Sequence, residues 1–348
     1  MVADDPVVDT KGWGTGMAAA NIRDVAHRAG VSVASVSRAL NGHSNVHPDT
    51  RAKVNAAAKA LGYVPHAGAR SLSMARTHAI GVVLPDLHGE FFSEIVRGMD
   101  REASGRGYQL LLSNMHADID MASHATRAMR GRVDGLVVMA PQVDAAGLEI
   151  LLPPGLPAVL VHSADGSGRP LLRIDSQHGA ETMTRHLLAI GKRRIVHITG
   201  PAGNIDSAER QAGFLAAMAE RGDAEPIVVA GDFSDDGGAA AVRDLLAVGT
   251  RFDAVFAAND MMALGALTVL RDAGIDVPGD VAVAGFDDVP LARYLALTTM
   301  RVHMAEIGAQ AVARLVAQLE GKGADASTEL LVPDLVVRQT TQSEKARR

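Results

Sequence analysis

The stretch Asn21-Ile-Arg-Asp24-Val-Ala-His-Arg28-Ala-Gly30-Val-Ser32-Val-Ala-Ser-Val-Ser-Arg38-Ala-Leu-Asn41-Gly42 decides how the rest of the chain is read. Asn21 is a helix N-cap residue, because its side-chain oxygen can accept from the unpaired N–H groups of a first turn, and Asp24 suits the positive helix end. Ile22, Val25, Ala26 and Ala29 then recur at helical spacing and form one apolar stripe. Gly30 stops this helix, since glycine takes the left-handed C-cap conformation without a steric cost. Ser32 caps a second helix, Val33 to about Leu40, whose inner face is Val36, Ala39 and Leu40. Two short helices joined by a tight glycine turn make a helix-turn-helix. The second helix presents Val33, Ala34, Ser35, Ser37 and Arg38 outward, and its N-terminal residues are expected against base edges in the major groove. A third helix begins at Pro48, a natural first helical position, and runs to about Leu61 before Gly62. Its inward residues are Val54, Ala57 and Leu61.

Charge supports this reading once it is divided along the chain. The net charge of −6 over 348 residues looks wrong for a DNA-binding protein. Residues 21–76, however, carry eight Lys and Arg against two Asp, a balance of +6, with four histidines besides. Residues 1–20 hold one Lys and three Asp, which leaves −10 on the remainder. A compact basic segment on an acidic body is the asymmetry of a nucleic-acid-reading head on a soluble effector domain.

Composition narrows the class further. With 47% hydrophobic and 21% charged residues the chain is globular, and its length suits two or three domains. There is no cysteine, which excludes a disulfide framework, a thiolate nucleophile and any Cys-ligated metal or cluster. Residues 1–20 lack the basic start and apolar run of a signal peptide, and they read as a disordered extension in which Met17 is an alternative translation start. No apolar run approaches the ~18 residues that span a bilayer. The expected location is the cytoplasm, associated with the nucleoid.

The residues quoted above resemble the DNA-binding head of the lactose repressor (LacI/GalR) family, and Pro48-Asp-Thr-Arg51, Leu61-Gly-Tyr-Val-Pro65 and Ala69-Arg-Ser-Leu72 continue the match in order. The similarity extends to about Thr341. The resemblance implies base-reading roles for Val33, Ala34 and Arg38. Arg38 has the fork to grip a guanine edge, and Val33 and Ala34 offer apolar contact, for instance to a thymine methyl. Ser32, Ser35, Ser37, Asn41, Thr50 and Arg51 suit phosphate contacts, which position a protein without reading sequence. Ala67–Ser73 resembles the family's hinge helix, with Ala69 within it and Leu72 at the position of its minor-groove wedge. Two residues depart from the family pattern: His47 stands where a Ser N-cap is usual, and His66 where Asn is usual, which puts the DNA contact of His66 in question.

From residue 78 onward short β-branched runs alternate with amphipathic helices. Strands are expected at Ala79–Leu84, Gln109–Ser113, Gly135–Met139, Ala158–Val161, Ile195–Thr199, Ile227–Ala230, Ala254–Ala257 and Val281–Gly285. Helices are expected at about 92–106, 118–130, 144–151, 177–190, 207–221, 236–248, 260–273 and 305–320. Such alternation builds doubly wound parallel sheets, and so many units imply two of them. The expected fold is therefore an all-α helix-turn-helix head plus an α/β body of two doubly wound parallel-sheet subdomains. By resemblance that body is periplasmic-binding-protein-like, with chain crossovers near Asp175, Arg301 and Leu331. The expected division is a head over 21–66, a hinge helix and linker over 67–77 and an effector-binding and dimerisation body over 78–341. The N-subdomain takes about 78–175 and 302–331, and the C-subdomain about 176–301 and 332–341.

Ligands of open α/β sheets bind outside the carboxyl ends of the strands. Residues just past each strand are accordingly the candidates: Phe91, Phe92, Gln142 (beside Pro141), Arg210, Phe233, Asn259 and Asp287. Each falls where the family holds its effector. Arg210, Asn259 and Asp287 supply donors and acceptors for vicinal hydroxyls, while Phe91 and Phe233, two of only seven Phe, supply flat faces for a sugar ring. Arg210 and Asp287 are also able to pair with each other, Phe92 equally suits a core or subunit contact, Met304 equally suits the core, and Asp260 reads as the cap of the helix that follows.

An enzyme is the main rival. The chain has no phosphate-binding lysine loop, no His-Glu-x-x-His and no Gly-x-Ser-x-Gly; Gly12, Gly14 and Gly16 follow no strand, and His178 and His186 are eight apart rather than four. No catalytic residue, metal site or cofactor is expected. A sugar-binding transport protein is the second rival; the basic head opposes it. The expected function is a DNA-binding transcriptional regulator, most readily a repressor, acting as a homodimer on a pseudo-palindromic operator of double-stranded DNA. A small-molecule effector, first a sugar and otherwise a purine or nucleoside, releases or recruits it. Only about seven residues follow the last family match, so the leucine-rich tetramerising tail of some relatives has no counterpart.

Overall fold

The computed structural model describes residues 20–41, 43, 45–64, 76–87, 89–115, 119–165, 167–323 and 326–342. His66, Ala69, Leu72 and the whole of the expected hinge helix lie outside them, as do residues 1–19. The chain divides into two compact units, Met1–Thr77 and His78–Arg348.

The first unit holds three helices, α1 (Ile22–Ala29), α2 (Val33–Leu40) and α3 (Pro48–Leu61). Asn21 accepts from the N–H groups of Arg23 and Asp24, and Asp24 accepts in return from the Asn21 N–H, closing a capping box. Gly30 and Gly62 end α1 and α3 at φ 66° and 60°. The Ser32 hydroxyl accepts from the Ser35 N–H. His47 does cap α3: its Nδ1 accepts from the Asp49 N–H at 3.3 Å, so the departure from Ser keeps the function. Val25, Val36 and Val54 are fully buried, one per helix, with Ala26, Ala39, Ala57 and Ala58 around them. Tyr63 and Val46 close the edges of this small core.

The second unit contains two parallel sheets. The six-stranded sheet runs in the order β2 (Gln109–Asn114), β1 (Ala79–Leu84), β3 (Gly135–Met139), β4 (Ala158–Val161), β5 (Leu171–Ile174), β11 (Thr328–Leu331). The four-stranded sheet runs β7 (Glu225–Val229), β6 (Arg194–Ile198), β8 (Ala254–Ala257), β9 (Ala282–Ala284). The central strands read as unbroken apolar runs, Gly-Leu-Val-Val-Met and Ala-Val-Leu-Val, because helices cover both faces. Pro226 lies in β7, an edge strand, where its missing N–H costs no ladder bond.

The helices are α4 (Glu90–Gly105), α5 (Ile119–Met129), α6 (Ala145–Leu151), α7 (Ser176–Ala189), α8 (Ile205–Ala219), α9 (Asp235–Ala247), α10 (Asp260–Asp272), α11 (Pro290–Tyr294) and α12 (Met304–Leu319). The chain leaves the first sheet after β5, returns through α12, which packs on α4, and leaves again after β11. The close α4–α12 approach needs Gly98 and Gly308: a Cβ on either would overlap the facing backbone carbonyl, of Ala305 and Ile95 respectively. A short antiparallel pair, β10 (Thr299–Arg301) with β12 (Asp334–Val336), ties the last two passes together.

Four strands and one helix escape the alternation rule. A loop rather than a helix joins β4 to β5, and β10, β11, β12 and α11 are three to five residues long. Met304 is a core residue, 6% exposed, in the first turn of α12.

Candidate DNA-reading head and effector cleft

In the head, Val33, Ala34 and Arg38 are exposed on α2, Ser32 is exposed at its cap, and Ser35, Ser37 and Asn41 are half-buried. The Arg38 Nε–H donates to the Ala34 carbonyl at 3.3 Å, so the guanidinium lies back along its own helix. Ser32 and Ser35 share a hydrogen bond at 2.9 Å, and Asn41 donates to the Ser37 hydroxyl at 3.3 Å. Thr50 and Arg51 lie in the first turn of α3, and Arg51 donates to the His43 carbonyl at 2.6 Å, which fixes the loop after α2. The apolar and cationic face of α2 is thus presented by one rigid element with its own cap.

In the body, a cavity of about 500 Å³ opens at the carboxyl ends of the strands of both sheets. Phe91, Phe92, Gln142, Arg210, Phe233, Asn259 and Asp287 all line it. Phe91 and Phe92 meet edge to face, 5.4 Å between centroids, at the start of α4. Phe233 and Asp287 hold φ of 70° and 117°, and His162 behind Phe91 holds 44°, backbone states that cost about 1–3 kcal/mol each and survive only where the surroundings fix them. For Asp287 the fixing is explicit: its N–H donates to the Met300 carbonyl and its carbonyl accepts from the Val302 N–H.

Arg210 is 4% exposed. It donates to the Ala258 carbonyl, stacks 3.8 Å from the Phe286 ring centre and lies 3.5 Å from Asp287 Oδ1. Its Nε has no hydrogen-bond partner, nor has Asp287 Oδ1 or the buried Oε1 of Gln142. Burial pushes the Asp287 carboxyl up to about 7, against the pull of Arg210 and with the push of Asp206. Asp206 goes the other way, down to about 2: burial opposes ionisation, but the nearby His162, the Arg210 charge and a 3.2 Å hydrogen bond from Ser176 outweigh it. His162 Nδ1 faces Asp206 at 3.5 Å, a loose contact in which neither ring nitrogen makes a directed hydrogen bond.

One role differs from the sequence reading. Asn259, not Asp260, caps α10: its side-chain oxygen accepts from the Met262 N–H at 2.9 Å, and its amide donates to the Phe233 carbonyl at 2.9 Å. Asp260 instead accepts from the Val289 N–H and the Thr299 hydroxyl. Its side chain turns from its own helix end to the segment after β9, where burial and then the neighbouring Asp287 raise its carboxyl well above the usual range. Asn259 therefore spends its oxygen on the helix and orients Phe233, leaving an amide N–H as its contribution to the cavity.

The sequence reading also passed over His162, Asp206, Asp232 and Glu90. The strand-exit rule could have found His162, which directly follows β4, and the helix-start rule Asp206 and Glu90, which stand in the first turns of α8 and α4. The cavity is spanned at several points: the Ile205 N–H donates to the Pro141 carbonyl at 3.0 Å, the Leu291 N–H to Glu90 Oε2 at 2.9 Å, and Arg173 pairs with Glu209. Among the described residues no group of three or more His, Asp or Glu side chains is placed to hold a metal ion.

The comparisons with known proteins agree with this geometry. Residues 21–66 match the model of bacterial regulatory proteins of the lacI family, and residues 184–341 match a periplasmic binding protein-like domain. The ribose operon repressor of Escherichia coli (strain K12) is 38% identical over 304 residues, 85% of this chain and 92% of that protein. The chain belongs to the LacI family. The lac repressor dimer, solved on its operator with an anti-inducer, superposes with a TM-score of 0.83 at 29% identity, covering 93% of this chain and 99% of that one. A LacI-family regulator of Enterococcus faecium, solved with bound ribose, has a TM-score of 0.69 at 25% identity and covers 76% of this chain and 98% of its own. This LacI-family chain is a DNA-binding regulator of transcription rather than an enzyme, and such regulators act on DNA in the cytoplasm. No helix among the described residues is long and apolar enough to cross a membrane.

Proposed function

We propose that this LacI-family protein is a repressor that binds a pseudo-palindromic operator as a homodimer and is released when a sugar occupies the body cavity. In this reading residues 21–66 form the reading head, 67–77 the hinge and linker, and 78–341 the effector and dimer body. The protein is associated with the nucleoid. Val33, Ala34 and Arg38 read bases; Ser32, Ser35, Ser37, Asn41, Thr50, Arg51, His66 and Ala69 hold the backbone, and Leu72 wedges the minor groove. Phe91, Phe92, Gln142, Arg210, Phe233, Asn259 and Asp287 bind the sugar.

The observation that carries the proposal is that Arg210, Gln142 and Asp287, each with a buried polar atom that has no hydrogen-bond partner, line one cavity with Phe91, Phe92 and Phe233. Aromatic faces for the ring and a few fixed polar groups for the hydroxyls are the makings of a sugar site. The ribose operon repressor and the ribose-bound neighbour support the sugar class. The mechanism is a population shift: sugar contacts from both sides of the cavity favour one arrangement of the body, and the operator favours the other. Operator selection from random DNA followed by release with a panel of sugars, purines and nucleosides tests it. The expected result is a palindromic site released by a sugar; release by a purine alone would replace the sugar in the proposal.

A further inference from the structure

We propose that the cavity selects an uncharged sugar and turns away its phosphorylated or otherwise anionic forms; this rests on the sugar reading above. Six carboxylates line the space, Asp86, Glu90, Asp206, Asp232, Asp235 and Asp287, against the single guanidinium of Arg210. Among the described residues no lysine and no second arginine lines it. Arg210 itself is committed to the Ala258 carbonyl, the Phe286 face and Asp287. Its Nη1 is spent on the Ala258 carbonyl and its Nη2 stands beside the Asp287 carboxyl, so a phosphate drawn to this guanidinium would be crowded against that carboxyl.

The helix ends reinforce this. Four helices begin at the cavity, α4, α8, α9 and α10, and a free helix N-terminus is an anion site. Three of these ends are already capped by the chain, and α4 begins at Gly89 without a side-chain cap. Asn204, Ser234 and Asn259 cap α8, α9 and α10 through the N–H groups of Ser207, Gly237 and Met262. A carboxylate that lines the cavity stands in the first turns of α4, α8 and α9: Glu90, Asp206 and Asp235. An incoming phosphate would meet fixed negative charge where it needs donors. A hydroxyl meets what suits it, above all the wall formed by Asp287, a buried residue whose Oδ1 has no hydrogen-bond partner.

The carboxylates do not form an open cage for a cation either. Glu90 accepts from the Leu291 N–H, Asp232 from the Ser234 N–H and hydroxyl, and Asp206 from Ser176, so their charge is spread into fixed donors. The positions most open to change are Asp232 and Asp235, both exposed at the rim, where Asn keeps the shape and removes the charge.

The test is calorimetric titration of the full chain near neutral pH with ribose against ribose phosphate, glucose against glucose phosphate, and adenosine against adenosine monophosphate. The expected result is a free sugar that binds at least ~100-fold more tightly than its own phosphate ester. The paired change Asp232→Asn with Asp235→Asn should narrow that ratio at least ~10-fold while the free sugar still binds. A phosphate ester binding as tightly as its parent sugar overturns the charge rule and leaves the sugar reading standing. Binding of adenosine alone overturns the sugar reading, and its comparison with the monophosphate then judges the charge rule by itself: equal binding of the two overturns it.

Discussion

Arg210 and Asp287 face each other 3.5 Å apart inside the cavity, both almost wholly buried, without a close hydrogen bond between them. The separation is what makes the pair useful. A tight bidentate ion pair would leave neither partner for a ligand. At this distance burial outweighs the attraction, so the carboxyl takes up a proton near neutral pH.

That balance has a measurable sign. The Asp287 value rises from 3.8 to about 7 on folding, so the folded state is the better proton binder. The stability due to this group is complete below about pH 4 and is lost as pH rises through about 7. Asp206, lowered to about 2, contributes in the opposite sense, present above about 4 and lost only as pH falls towards 2. Asp260, raised well above the usual carboxylate range by burial and by Asp287 beside it, acts in the same sense as Asp287. Removing the Asp287 charge with Asp287→Asn should therefore stabilise the ligand-free protein by an amount that grows from pH ~4 to ~7, reaching on the order of 2 kcal/mol. Urea unfolding of both proteins across this range checks it. A difference independent of pH contradicts the buried, loosely paired carboxyl.

The same residue should separate the two functions of the chain. Asp287→Ala removes a fixed acceptor from the cavity and leaves Arg210 without its counter-charge. Sugar affinity is expected to fall by about 2–3 kcal/mol, roughly 30- to 150-fold. Operator affinity without sugar should stay within about twofold. Release in a gel-shift titration measures the first quantity and direct DNA binding the second. Unchanged release would remove Asp287 from the site.

Gly200 gives a test that leaves every lining side chain in place. A Cβ at this position would run into the Phe233 ring. The Phe233 backbone, at φ 70°, and the Asn259 amide on its carbonyl give the ring little room to retreat. Gly200→Ala should therefore move the ring and weaken sugar binding about tenfold, with operator binding intact. Thermal shift with saturating sugar reads this directly, because a ligand of the folded form raises Tm by its occupancy. An unchanged shift would show that Phe233 does not form part of the sugar surface.

Gly308 probes the frame beneath the cavity. Its Cβ would collide with the Ile95 carbonyl where α12 crosses α4, and backbone, unlike a flexible side chain, does not give way cheaply. Gly308→Ala should destabilise the body by about 1–3 kcal/mol through overpacking. Chemical denaturation checks it; a neutral result would mean that the two helices can separate without loss.

Much of this was legible in the residues themselves. The three head helices were readable because their caps and stops are local chemistry: Asn21 with Asp24, Ser32, Pro48, and glycines at 30 and 62. The seven cavity positions were readable because the carboxyl edge of a parallel sheet is fixed by the order of strands and helices. What was not readable depended on partners distant in the chain. The Asp260 carboxyl leaves its own helix end for Thr299, thirty-nine residues away. His162 finds Asp206 only because β4 and α8 come together at the same edge. The strands β5 and β10 to β12 were hidden because each short run is broken by a charged residue (Arg173, Arg301, Glu329, Asp334), whereas the equally short β4, β8 and β9 are unbroken apolar runs.

The head offers the last prediction. Arg38 is exposed on α2, but its Nε–H is held by the Ala34 carbonyl at 3.3 Å. Reading a guanine requires release of that weak, solvent-exposed bond, a small cost against a bidentate pair worth about 1–3 kcal/mol. Arg38→Ala should accordingly weaken binding to the selected operator by that amount per half-site. It should weaken binding to unrelated DNA only slightly, and leave sugar affinity unchanged. Salt separates the base contact from the electrostatic background: log affinity should fall linearly with log salt at about −0.9 per phosphate neutralised, for both proteins. Loss of the single guanidinium should change that slope by at most about one phosphate. An equal loss on every sequence would assign Arg38 to the backbone instead of the bases. A flat salt profile would deny the basic head its electrostatic part altogether.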